Sequence, residues 1–163
     1  MTDKEHIKTS LLIAVRNMGE GVVSLADTCV SEMEKTGNSF EVLFVDDGSS
    51  DDTWEWIKRT AHKEQRITCL RMRASFGEAA ALKAGIEYSR GEMIIFMASR
   101  VRINPETLSG LFRRIDAGDD LVVGWRTTRR DSFLNRVLSR MFNRMSGAIS
   151  RTGFHDINSG IFA

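Results

Sequence analysis

The sequence predicts an α/β fold, a mostly parallel sheet with helices on both faces. Three observations carry that expectation. Short, nearly continuous apolar runs of strand length recur along the chain. Between them lie longer stretches whose apolar residues follow three–four spacing, the period of a helix packed on one side. The joints are marked by residues suited to turns and caps.

In chain order, Thr9 to Val15 (TSLLIAV) reads as the first strand. Gly19 to Lys35 places Val22, Leu25, Ala26, Cys29, Val30 and Met33 on one helical face, with Gly37 at the expected C-cap. Phe40 to Val45 is the second strand. Ser50 is positioned to cap a second helix, with Asp51 and Asp52 favourably placed in its first turn. Arg66 to Met72 is a third strand, and Phe76 to Ser89 an alanine-rich helix ended by Gly91. Met93 to Met97 is a fourth, almost wholly apolar strand. Asn104 before Pro105 marks a helix start. Leu121 to Trp125 reads as a fifth strand, and Ser132 opens a final helix.

The chain of 163 residues is expected to form one domain, 1–163, with its own core. It is 42% hydrophobic and 28% charged, the balance of a globular protein. The net charge of +1 implies no partner by itself, and no nucleic-acid ligand is expected. No apolar run reaches membrane-span length, and the polar N-terminus lacks a signal core, so the expected location is cytoplasmic. Cys29 and Cys69 lack metal or redox spacing and read as buried free thiols. His6, His62 and His155 form no cluster, and Trp54 and Trp56 read as packing residues.

Parallel α/β sheets bind ligands beyond the carboxyl ends of their strands. Those ends carry Arg16 and Asn17, then Asp46 and Asp47 followed by Gly48, Ser49 and Ser50, then Arg73 and Ser75, then Ser99, Arg100 and Arg102, then Arg126, Arg129 and Arg130. Such a set suits a polar or anionic ligand, although solvated loops are polar in any case. The dinucleotide fingerprint, the P-loop and the hydrolase elbow are all absent.

The run Phe44-Val45-Asp46-Asp47-Gly48-Ser49-Ser50-Asp51-Asp52-Thr53 resembles the nucleotide-binding signature of family 2 glycosyltransferases. Leu12 to Asn17, Ser75 to Gly85 and Gly91 to Met97 resemble that family's first strand, third loop with its helix, and fourth strand. Gly124-Trp125-Arg126, Ser132 to Gly147 and Asp156 to Phe162 resemble its polyprenyl-phosphate branch, the dolichyl-phosphate mannosyltransferase and bactoprenol glucosyltransferase type. The resemblance implies a Rossmann-like GT-A fold that binds a UDP- or GDP-sugar. It implies nucleotide contacts from Ala14, Arg16, Asn17, Asp46, Asp47, Ser75 and Lys83, with Asp46 foremost. Against this, Asp47-Gly48-Ser49 also reads as a turn whose aspartate bonds its own backbone.

The sequence departs from the family where an Asp-x-Asp motif should hold Mg²⁺ or Mn²⁺. Here it reads Ala98-Ser99-Arg100. Hard divalent ions need oxygen ligands, so no metal cofactor is expected. Ser99 and Arg100 are candidates to meet the diphosphate in the metal's place, since a guanidinium matches phosphate oxygens. Alternatively, Arg100 simply faces solvent. Further departures are Ala14, Met18, Ser75 and Glu78, at positions where the family usually has proline, an acid, asparagine, and lysine or glutamine. The chain also stops at Ala163, where the family continues, so it is expected to be shorter than its relatives at the C-terminus.

Leu134, Val137, Leu138, Met141, Phe142 and Met145 make one helical face, and Arg136, Arg140 and Arg144 another. Arg126, Arg129, Arg130 and Arg136 are candidates for a lipid phosphate or an anionic membrane surface, peripheral at its inner face. A solvated arginine face, or the seam of a homo-oligomer, would give the same pattern. The expected function is glycosyl transfer from a sugar nucleotide to polyprenyl phosphate, weak or lost without the metal acids. The alternative is a pseudoenzyme serving as a nucleotide-binding or protein-interaction scaffold.

Overall fold

A computed structural model describes residues 6–99, 105–122 and 161–162, with backbone alone at 105–107 and 161–162. In order, the elements are β1 (Thr9–Val15), α1 (Gly21–Glu34), β2 (Phe40–Asp46), α2 (Thr53–Lys63), β3 (Ile67–Arg71), α3 (Glu78–Tyr88), β4 (Met93–Ala98), α4 (Pro105–Asp116) and β5 (Ile161–Phe162). They form one sheet in the order β3-β2-β1-β4-β5. The first four strands run parallel, and β5 pairs antiparallel with β4 through Phe96↔Phe162 and Met97↔Ile161.

Every residue of β1 and β2 is buried, which explains their mainly apolar character; buried Glu41 of β2 is held by the Ser10 hydroxyl and Arg90. Side chains alternate between the two sheet faces. Leu11, Ile13 and Val15 pack with Val42, Phe44, Ile95 and Met97 under α1, α2 and α4, which contribute Cys29, Met33, Ile57, Leu108 and Phe112. Leu12 and Ala14 pack with Leu43, Val45 and Phe96 under Ala81 of α3. Helices thus cover both faces, as the sequence predicts. Cys29 is a free thiol in the first of these cores, where burial pushes its pKa up to about 12. Cys69 is also free, but only half buried. No helix among the described residues is long and apolar enough to cross a membrane.

Three expectations need correction. Leu121 and Val122, read as the start of a fifth strand, are not in a strand; the rest of that stretch lies outside the described residues. Instead Ile161–Phe162 supplies the fifth strand, too short to show a period. Ser50 does not cap α2, which begins at Thr53; Asp51 does that work by accepting the Thr53 N–H at 3.0 Å. Gly91 does not terminate α3, whose C-cap is Ser89. It is small for another reason: a Cβ there would lie 2.5 Å from the Ser10 backbone nitrogen. The helix expected from Ser132 lies outside the described residues.

Candidate functional site

The chain steps outward from β1 to β2 and β3, then returns to the other side of β1 as β4. Open α/β sheets take ligands in a crevice beyond the carboxyl ends of their strands near such a reversal, so the carboxyl ends of β1 and β4 are the place to look for one. Three loops border it, following β1, β2 and β3. The β2 loop ties the other two together.

Towards the β1 loop, Asn17 adopts a left-handed conformation, φ 49°, which asparagine tolerates better than most residues. Its N–H donates to Ser49 Oγ at 3.0 Å, and its Oδ1 accepts the Ser50 N–H at 2.9 Å. Buried Thr53 Oγ1 accepts the N–H groups of Met18 and Gly19, each at 2.8 Å, and Asp51 Oδ2 accepts Gly19 N–H as well. Four residues of one motif, Ser49, Ser50, Asp51 and Thr53, therefore fix the turn that leaves β1.

Towards the β3 loop, Asp47 does the corresponding work. Its carboxylate accepts the Ser75 hydroxyl at 2.8 Å, the Phe76 N–H at 2.8 Å and the Gly77 N–H at 3.0 Å. These donors lead into α3, so Asp47 serves as an N-terminal cap contributed from another strand. Burial pushes its pKa up, but the bonds from Phe76, Ser75 and Gly77 and the charge of Arg16 outweigh that and lower it overall. Gly48 lets the two loops touch. Its φ is +61°, and a Cβ there would lie 2.5 Å from the Ala74 carbonyl carbon.

Asp46 behaves differently from its neighbour. It ends β2 in register with Val15 and Arg71 and is 0% exposed. Oδ1 accepts both the N–H of Ser49, at 3.0 Å, and the Ser49 hydroxyl. Oδ2 has no hydrogen-bond partner among the described residues. Its nearest cation is Arg71, whose Nε stands 3.5 Å away on a half-exposed side chain lying over Trp54. A buried carboxylate oxygen without a donor is costly, about 1–3 kcal/mol or more. It marks a position that an incoming N–H or O–H would satisfy.

The remaining candidates fall as follows. Ala14 is buried in β1, opposite Ala98 of β4. Arg16 is exposed and its charge reaches Asp47. Ser75 is committed to Asp47, and Lys83 is exposed on α3. Ser99, half buried, follows the last paired residue of β4. Arg100, Arg126, Arg129, Arg130 and Arg136 lie outside the described residues. Sequence reading placed Ser49 at the end of the second strand without assigning it a role, and missed Thr53 and Arg71. For Ser49 a signal existed, because Asp followed three residues later by Ser is the spacing at which an aspartate bonds the backbone ahead of it.

Ala98 offers no donor and Ser99 only a neutral hydroxyl, a poor set for a hard divalent ion. Among the described residues, no three of His, Cys, Asp and Glu converge to hold a metal. A cavity of about 930 Å³ opens at the opposite, amino end of the sheet. Its charged groups are already engaged: Arg66 with Glu34 and Glu64, Arg90 with Glu41, and His6 with Glu92. Among the described residues, none of the buried side-chain atoms left without a partner belongs to a residue lining this cavity, whereas Asp46 Oδ2 lies at the carboxyl end, so the carboxyl end is the better site.

Residues 10–162 match the model of glycosyl transferase family 2. The chain belongs to that family. Solved structures of similar fold include mannosyl-3-phosphoglycerate synthase from Rubrobacter xylanophilus, at 16% identity and TM-score 0.71, covering 96% of this chain and 53% of that one. A mannosyltransferase from Pyrobaculum calidifontis, in complex with GDP-Man and Mn²⁺, matches at 18% identity and TM-score 0.59, over 83% of this chain and 39% of its own. TarS from S. aureus in complex with UDP-GlcNAc matches at 21% and 0.58, over 76% and 37%. At these identities the likeness is one of fold, the GT-A arrangement of family 2. The chain spans between about a third and just over half of the length of these structures.

Proposed function

We propose that this family 2 domain binds the nucleoside diphosphate part of a UDP- or GDP-sugar in the crevice at the carboxyl ends of β1, β2 and β4. The observation that carries the proposal is Asp46, with one oxygen saturated by Ser49 and the other buried without a donor. A base N–H or a ribose hydroxyl supplies the missing hydrogen bond. Because Asp46 is fully covered, a side chain must turn aside to admit it; Arg71, half in solvent, is the candidate.

The diphosphate binds without a divalent metal, because Ala98 and Arg100 stand where the family has the acids that would hold one. Charge neutralisation of the leaving diphosphate is the main catalytic need of this transfer, so glycosyl transfer by this chain is weak or absent. The same observation favours a second reading, a nucleotide-binding scaffold without turnover. The acceptor proposed for any transfer is polyprenyl phosphate, on the sequence likeness of Gly124 to Phe162 to that branch. Recruitment to anionic vesicles at low salt supports a lipid-phosphate partner, and its absence removes it.

Calorimetric titration of UDP, GDP and their sugars, with Mn²⁺ and again with EDTA, tests the main proposal. Micromolar binding that survives EDTA is expected. Binding only with Mn²⁺ overturns the metal-free site, and no binding in either buffer overturns the nucleotide reading. Release of sugar from a binding-competent chain, measured with and without a polyprenyl phosphate, separates transferase from scaffold.

A further inference from the structure

We infer that Ser49 is the positioning residue of the Asp46 carboxylate, fixing its plane so that one oxygen faces an incoming nucleoside donor. The inference rests on the nucleotide reading of this crevice and adds the residue that prepares it. Ser49 is buried, at 6% exposure, and makes three hydrogen bonds to two partners. Its N–H and hydroxyl both reach Asp46 Oδ1, and its Oγ accepts the N–H of Asn17 at 3.0 Å.

The direction of the hydroxyl proton follows from its partners. Asn17 N–H is a donor, so Oγ must accept there, and the single hydroxyl proton is left for Asp46. Two donors from one residue then occupy the same oxygen. A carboxylate can rotate to exchange its oxygens, but its plane is held, and whichever oxygen lies away from Ser49 lacks a donor. Ser49 also joins that orientation to the β1 turn, because Asn17 is the residue that leaves the strand. The carboxylate and the β1 side of the crevice are therefore set together. Preorganisation of this kind raises affinity by removing the cost of ordering the group on binding.

The experiment is titration of UDP and GDP into the full chain carrying Ser49→Ala, Ser49→Cys, Ser49→Thr, Asp46→Asn, or Ser49→Ala with Asp46→Asn, each checked for cooperative melting. Loss of the hydroxyl is expected to weaken binding about tenfold, roughly one hydrogen bond's worth. Ser49→Cys, nearly the same size but a weak donor, falls between wild type and Ser49→Ala, and serves if the alanine variant does not fold. Ser49→Thr, which keeps the hydroxyl, restores most of the affinity. The deciding readout is the double variant: Ser49→Ala causes no further loss once Asp46 is asparagine, because it acts through that carboxylate. A general structural role would instead weaken both backgrounds equally, and that result overturns the inference. If Asp46→Asn weakens binding but neither Ser49→Ala nor Ser49→Cys does, positioning fails and the nucleotide reading stands. If wild type binds no nucleotide, or Asp46→Asn binds as well as wild type, the reading of Asp46 fails and takes this inference with it.

Discussion

Asp46 and Asp47 are adjacent, chemically identical and oppositely employed. Asp47 uses both oxygens on Ser75, Phe76 and Gly77, while Asp46 keeps one oxygen without a donor. Asp46 closes β2 whereas Asp47 opens the loop that follows it, and that single step separates their roles. Asp47→Ala should cost about 2–3 kcal/mol, since three donors at the start of α3 lose a charged acceptor. The loss should depend on pH in a definite direction. The folded pKa of Asp47 is lowered, so its stabilisation is complete above the unfolded value of about 3.9 and fades as pH falls through the folded one. Urea unfolding near neutral pH and near pH ~3 should show the gap between wild type and variant narrowing in acid. A constant gap would mean the carboxylate charge contributes nothing. At Gly48, both the left-handed backbone and the contact with Ala74 oppose a side chain. Gly48→Ala should therefore cost about 2–4 kcal/mol, read from the shift in urea midpoint.

At the scale of elements, the loop after β2 is where sequence reading and structure diverge in an instructive way. The strands β1 to β4 are legible as short apolar runs that burial demands, and the helices α1 to α4 from three–four spacing, alanine content or start signals, with ends that differ by only a residue or two. The motif around Asp46 is legible as a resemblance, and its location at a strand end follows from the fold. What is not legible is the pairing of Asp47 with a loop some thirty residues later. Nor does local pattern reveal Thr53 reaching back to Met18 and Gly19. Hydrogen bonds between distant loops leave no period, and Ser50 looks like a cap only until Asp51 is seen to take that place. Thr53→Val tests the tie between these loops while keeping the side chain's shape. It removes the acceptor of the Met18 amide and one of the two acceptors of the Gly19 amide, and should cost about 1–3 kcal/mol. Hydrogen exchange at Met18 and Gly19 should accelerate in the variant, with the amides of β1 much less affected. Unchanged exchange at those two positions would show that the turn holds itself.

For the whole molecule, the fold sets ligand and stability in one balance. The proposed crevice lies beyond the carboxyl ends of β1 and β4, and β1 is the central strand of the sheet and buried throughout. A ligand that satisfies Asp46 there binds the folded chain and has nothing equivalent in the unfolded one. Mass action then links binding to melting: at ligand one hundred times its dissociation constant, folding gains about 2.7 kcal/mol. For a chain of this size that corresponds to a rise in melting temperature of roughly 5–10 °C. The rise should appear with UDP or GDP and vanish in Asp46→Asn. It should also be the same in EDTA as in Mn²⁺, because the residues after β4 offer the ion no carboxylate. That last comparison separates two ways of holding a diphosphate. If Mn²⁺ enlarges the rise, an acidic group elsewhere in the chain has taken over the metal, and the charge balance proposed for the crevice is wrong. If EDTA makes no difference, the nucleotide is held by the loops and by Asp46, and the diphosphate by groups other than a metal.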